Sequence, residues 1–393
     1  MFELADNQKN TKWKIWAIVS LALFLCTLSF AFVWYFLFYL SPSENKDFVE
    51  NIEVPIVVET KKSEIKKEEK IVTPEFSSTT IIMVGDIMLD RDVYYYIKKN
   101  NSDFNFPFAK INTFLASADL RVGNLEGPIT NNRSIIKAGD ASDNGGNLRF
   151  TFSPQTTTTL AENFDLLSLA NNHITNFAND GVVQTKNYLT KSGINYFGDF
   201  YNQTELSYIY EVSQKLKIAF VGFHQLYNGG LDNVLNEIKK IKTDKSADII
   251  IVYPHWGTEY LTNRPDKKQQ EIAYQFIDSG ADIIIGSHPH VIQPIEIYKE
   301  KPIFYSLGNF VFDQYFSPET MQGLSLKFNF VKLEENIDVK INLIPLSISR
   351  ETQVSVMEDE NMKQKVLDGI AKNSKVADEV KEKIRNGEIN FTF

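Results

Sequence analysis

The sequence predicts an α/β domain built around at least one largely parallel, buried sheet, and three observations predict it. From Thr80 onward, short β-rich apolar runs alternate with stretches of helical character. Those runs are apolar on successive residues, without a polar face. Metal-capable side chains stand where the runs end. Strands alternating with helices imply βαβ units, whose parallel strands are covered on both faces and therefore read as continuous apolar runs. A chain of 393 residues, 43% hydrophobic and 23% charged, has room for one large domain or two modest ones.

The elements follow in order. Residues 15–40 form an uncharged apolar run of about 26 residues, which as a helix spans roughly 39 Å against a hydrocarbon core of ~30 Å. This is the signature of one transmembrane helix. Lys9, Lys12 and Lys14 precede it and Glu44, Asp47 and Glu50 follow it. The positive-inside rule then places residues 1–14 in the cytoplasm and the main domain outside, as a single-pass protein of the cell membrane. A cleaved signal peptide is the alternative, but its apolar segment is shorter, and Phe38-Tyr39-Leu40-Ser41-Pro42 is a poor match to a cleavage site. Residues 41–79, with Pro42, Pro55, Pro74 and a mixed Lys/Glu run at 61–70, read as a solvated stalk.

Strands are expected at residues 81–84, 120–122, 166–169, 218–221, 249–253 and 283–285, with helices within 108–117, 182–191, 231–241 and 269–279. Beyond Pro302 the runs at 323–331 and 339–348 suggest a mixed second sheet. These elements fill a domain of residues 80–350. Residues 361–385 carry Val366, Ile370, Val376, Val380 and Ile384 in a Lys/Glu-rich context, which predicts a surface helix or pair within a C-terminal segment, 351–393.

Composition excludes some functions. A net charge of -9 without a Lys/Arg stripe offers nothing to a nucleic-acid backbone. The single cysteine, Cys26, lies inside the apolar run, so a disulfide within the chain or a cysteine zinc site cannot form. Any metal site must use His, Asp, Glu and Asn.

Those residues gather at strand ends. The loops offer Asp86, then Asn124 and Glu126, then Asn171-Asn172-His173, then His255, then His288 and His290. In parallel α/β sheets the loops at the carboxyl ends of strands converge on ligands. Four of the five histidines fall in these loops. Taken singly, Asp86 or Asn172 caps a turn and His255 packs beside Trp256. Together they point to a shared site for a divalent ion, one or two of Mn, Fe or Zn.

The ordered set Gly85-Asp86-Ile87-Met88-Leu89, Gly123-Asn124-Leu125-Glu126, Leu169-Ala170-Asn171-Asn172-His173, His255-Trp256-Gly257, Gly286-Ser287-His288-Pro289-His290 and Ser306-Leu307-Gly308-Asn309-Phe310 resembles the CapA (PGA_cap) family of capsule and poly-γ-glutamate biosynthesis. That family is similar to the calcineurin-like metallophosphoesterases. The resemblance covers about residues 80–313 and implies a four-layer α/β/β/α metallophosphoesterase-like sandwich, here preceded by the transmembrane helix. It further implies that Asp86 is the first aspartate ligand, that Asn172, His255 and His288 serve one ion, and that His290 closes the other. His173, beside Asn172, is then the general acid at the leaving-group oxygen. Two departures accompany it. Met88 stands where phosphoesterases of this type have a histidine, and Asn124 stands where they have a bridging aspartate, with Glu126 two residues on as a substitute carboxylate. Whether the site takes one ion or two is open.

Further candidates are Arg91, Arg149 and His224 for contact with an anionic substrate. The blander alternatives are a local Asp90/Arg91 pair, a surface salt bridge for Arg149 and a structural role for His224. Asn309 and Asp313 are candidates to brace the His-x-His loop from behind. Three functions fit: a metal-dependent hydrolase or transferase acting on an anionic envelope polymer or a phosphoester, a non-enzymatic binding or export subunit of a capsule synthesis complex, and a general phosphatase or nucleotidase.

Overall fold

In the computed structural model the described residues are 78–135, 148–213, 216–333 and 336–393. The expected cytoplasmic N-terminus, the anchor at 15–40 and all but the last two residues of the stalk lie outside them. Among the described residues no helix is long and apolar enough to cross a membrane. Ser78 and Thr79, expected in the stalk, already belong to the first strand.

Four parallel strands come first: β1 (Ser78–Ile87), β2 (Leu120–Leu125), β3 (Leu166–Ser168) and β4 (Asn195–Phe197). Helices α1 (Arg91–Lys99), the short α2 (Asn112–Leu115), α3 (Thr156–Asn163) and α4 (Ala178–Lys191) lie in their crossovers. A second series follows, with β5 (Ser207–Ser213), β6 (Leu216–His224), α5 (Leu231–Asp244), β7 (Ile249–His255), α6 (Lys267–Ser279), β8 (Ile283–Ile285), β9 (Ile295–Tyr298) and β10 (Lys301–Phe304). The chain closes through β11 (Asn309–Val311), β12 (Gln322–Leu333), β13 (Asn336–Ile348), β14 (Val354–Val356), α7 (Glu360–Asn373), α8 (Asp378–Arg385) and β15 (Glu388–Thr392).

The strands make two sheets, ordered β14-β13-β12-β1-β2-β3-β4 and β5-β6-β7-β8-β10-β9, with β11 beside β1 and β15 beside β13 in the first. Alternation along each strand decides what lies between them. Ile81 and Met83 of β1 join Ile218, Phe220, Ile249 and Ile251 of the second sheet in one apolar cluster. Ile82 and Val84 point the other way and pack with Val93, Ile97, Leu160 and Leu189 from the helices. On the outer face of the second sheet, Val221 and Val252 meet Val234 and Ile238 of α5 and Ile272 and Phe276 of α6, each pair spaced four apart on its helix. Helices, sheet, sheet and helices thus stack in four layers.

Two sequence expectations are corrected here. The runs after Pro302 do not build the second sheet. β12 pairs antiparallel with β1 and β13 with β12, so both extend the first sheet, while β9 and β10 complete the second. Nor is 351–393 only a surface helical segment. β15 pairs with β13, matching Ile389 to Ile341, and Leu367, Ile370, Ile384 and Ile389 are buried in the cluster between the sheets. The Lys/Glu-rich helices hide a narrow apolar edge, and that edge is what docks.

Candidate metal centre

Both sheets deliver their strand ends to one place. Asp86 sits where β1 is irregular: its pairing with β2 and with β11 shifts register there, and such bulges re-aim a side chain. Asn124 stands one residue before the end of β2 with Glu126 just beyond it, His255 ends β7, and the 171–173 and 287–290 loops follow β3 and β8. His288 and His290 both have positive φ, 93° and 58°, a strained conformation for non-glycine residues that persists where surrounding structure enforces it.

The donor atoms converge. His255 Nε2 lies 2.8 Å from Asn172 Oδ1 and 3.1 Å from His288 Nδ1. His290 Nδ1 lies 3.4 Å from Asp86 Oδ2, and its Nε2 lies 3.7 Å from Glu126 Oε1. The same Glu126 oxygen is 3.9 Å from Nε2 of both His255 and His173. Two sets of three metal-capable groups result, Glu126 with His288 and His290, and Asp86 with Glu126 and His255, and Glu126 belongs to both.

These residues fit a divalent cation. Both Glu126 carboxylate oxygens are buried without a hydrogen-bond partner, which is costly for an anion unless something positive completes it. Two ligands each ~2.1 Å from a tetrahedral ion lie ~3.4 Å apart, close to the observed spacings. The supporting shell is also in place. Asn309 Oδ1 lies 3.0 Å from His290 Nδ1, leaving Nε2 for the centre, and Ser287 Oγ lies 3.1 Å from His255 Nδ1.

Electrostatics agree with the geometry. Burial pushes the Glu126 carboxyl well above its usual range, opposed by the charge of His290. Burial and then the neighbouring imidazoles hold His255 and His288 well below theirs, which favours the neutral rings. Burial also lowers His290, but the Glu126 and Asp86 carboxylates outweigh it and lift that imidazole to about 9. To hold a cation, Nε2 of that imidazole would have to be free of its proton.

The profile of the family described as "Bacterial capsule synthesis protein PGA_cap" matches residues 80–314, more than half of the chain. This chain belongs to the PGA_cap family. It is 31% identical to "Capsule biosynthesis protein CapA" of Bacillus anthracis over 70% of this chain and 68% of that one. It is 28% identical to "PGA biosynthesis protein CapA" of Bacillus subtilis, over 78% of this chain and 80% of that one. A solved calcineurin-like phosphoesterase, YfkN from Bacillus subtilis, matches at 14% identity with a TM-score of 0.37, over 79% of this chain and 99% of that one, a likeness too loose to build on.

Several candidate residues of this PGA_cap chain take places the sequence did not indicate. Asn124 donates to Asp86 Oδ1 at 2.8 Å and accepts from Asn171 at 3.1 Å, so its amide ties the site together. Met88 is buried in the core, its sulfur 3.1 Å from the Asp90 N–H. The Arg91 side chain pairs with Asp313 instead of Asp90, and the Asp313 carboxylate also accepts from the Asp92 N–H. Arg149 donates to the Asn176 carbonyl at 2.9 Å and lies over the Phe177 ring. His224 stands behind His255, its Nδ1 3.0 Å from the Phe200 carbonyl, its Nε2 buried without a hydrogen-bond partner, and burial lowers it to about 4. Asn171 received no role from the sequence. Its amide bonds Asn124 and the Leu125 carbonyl while its oxygen accepts from the Ile174 N–H at 2.9 Å, and the Asn-Asn doublet was the one available signal.

Proposed function

We propose that this chain is a membrane-anchored component of capsule or poly-γ-glutamate biosynthesis whose extracytoplasmic domain is a divalent-metal-dependent hydrolase, of the phosphoesterase-like kind, acting on an anionic envelope polymer or a phosphoester. Glu126 carries this reading: a buried carboxylate with no hydrogen bond stands among the Nε2 atoms of three histidines, 3.7 to 3.9 Å away. Family membership supports the biosynthetic setting, and the apolar run at 15–40 supports the anchor.

Asp86, Glu126, Asn172, His255, His288 and His290 would hold one or two ions of Mn, Fe or Zn. When bound, such a cation supplies Lewis acidity toward an oxyanion and lowers the pKa of water. The protein's own contribution centres on His173. Its Nδ1 lies 3.1 Å from Asn176 Oδ1, which turns Nε2 toward the centre, and burial pushes the imidazole down to about 4. An arriving anion raises it, since a nearby negative charge favours the imidazolium, and Nε2 can then protonate the leaving oxygen.

The test is elemental analysis of protein purified without chelator, followed by assays on phosphodiesters, nucleotides and γ-glutamyl polymers. About one or two equivalents of metal are expected, with both metal and turnover lost in His255→Ala and His288→Ala. Metal-free, inert protein would sink the proposal. Met88 and the amide hub of Asn124 favour a second reading, a binding or export subunit whose ion only holds polymer. Loss of capsule in the same variants with complex assembly and polymer binding intact would decide for catalysis.

A further inference from the structure

We propose that Arg91 is a positioning residue that seats two imidazoles of the centre at once, an inference that rests on the divalent-cation reading above. Arg91 opens α1 in a left-handed conformation, φ 51°, with its N–H accepted by Asp90 Oδ1 at 2.8 Å. The side chain is buried, donates to the Asp313 carboxylate, and is bracketed by two rings. Its guanidinium carbon lies 4.9 Å from the centre of Phe150 and 5.4 Å from that of Phe312.

Each ring packs on a site histidine. Phe150 stacks on His173 at 4.2 Å between centres and 28° between planes, and Phe312 lies 4.7 Å from His290 at 52°. Those two histidines present Nε2 to the same Glu126 oxygen, at 3.9 and 3.7 Å. One cation thereby sets two aromatic walls, and each wall sets one ring. A guanidinium suits the task because its faces take rings while its edge binds a carboxylate, whereas an ammonium has no faces. The Arg91 Nε–H is buried without a hydrogen-bond partner, a destabilising feature that weighs against a role in stability alone.

The test uses the full chain in detergent, with isotope label only in its five histidines, so that NMR reads each ring. In metal-free Arg91→Lys the His173 and His290 resonances should move together while His224 stays in place. Mn²⁺ binding should weaken about 10- to 100-fold, with the unfolding midpoint lowered by only a few degrees. Phe150→Leu should move His173 alone and Phe312→Leu His290 alone, which keeps the idea testable if Arg91→Lys does not fold. Unmoved His173 and His290 rings, a shift spread over all five histidines, or Mn²⁺ affinity equal to that of the unaltered protein would overturn it. An unaltered protein that binds no Mn²⁺ would sink the metal reading instead, and the ring shifts of the metal-free variants would still judge Arg91.

Discussion

Glu126, the carboxylate of the proposed centre, shows how a buried charged group can oppose the stability of its own fold. Its carboxyl is raised well above the usual value by burial, and the unfolded group titrates near 4.5. A folded group with a raised pKa binds protons that the unfolded group has already released, so its contribution to stability is full below pH 4.5 and falls as pH rises through the folded value. Glu126→Gln should therefore stabilise the metal-free protein at neutral pH by about 1–3 kcal/mol, read from urea unfolding, with the gain vanishing in acid. The same variant should lose most of its divalent-ion affinity. Unchanged ion binding would remove Glu126 from the centre. That Glu126 was a candidate for a site was legible from its place at a strand end; that both oxygens lie buried without a hydrogen bond was not, because it depends on what surrounds the carboxylate in space.

At the scale of elements, the chain of β1 runs so close to the residue before β11 that Gly85 has no room for a side chain. A Cβ on Gly85 would stand 1.8 Å from the Gly308 carbonyl oxygen, and since both are backbone nothing can rotate away. Gly85→Ala should cost ~3 kcal/mol or more and displace Asp86, so the unfolding midpoint and ion affinity fall together. Gly369→Ala is the contrast. Gly369 lies inside α7 with nothing within 4 Å of its Cβ, and a gain of about 0.5–1 kcal/mol is expected with ion binding unaltered. The expected strands at 81–84, 218–221, 249–253 and 283–285 all appear in the structure, because unbroken apolar runs between turn signals are local facts. The sheet to which 323–331 and 339–348 belong was misread, because antiparallel addition to β1 is chosen by partners more than 200 residues away, as in Ser325 Oγ reaching the Met83 carbonyl across 242 positions.

For the whole molecule, the C-terminus is part of the load on the core between the sheets. Ending the chain after Ser374 removes Ile384 and Ile389, both buried, and strips β13 of its β15 partner. Burying such a side chain contributes about 1.5–3 kcal/mol, so the truncated protein should unfold at clearly lower urea in a single transition. An unchanged midpoint would mean that 351–393 rides on the domain without supporting it. By itself the sequence determined the βαβ rhythm, the polar residues at strand ends and the ordered motifs of the family, since each depends on residues a few positions apart. Only the tertiary structure decided that Arg91 pairs with Asp313 across 222 positions instead of with its neighbour Asp90, that Asn124 holds Asp86, and that Phe150 and Phe312 wall the histidines. Local periodicity selects an element and the face it buries, but which distant groups meet on that face is settled by packing of the assembled layers, and packing leaves no local mark in the sequence.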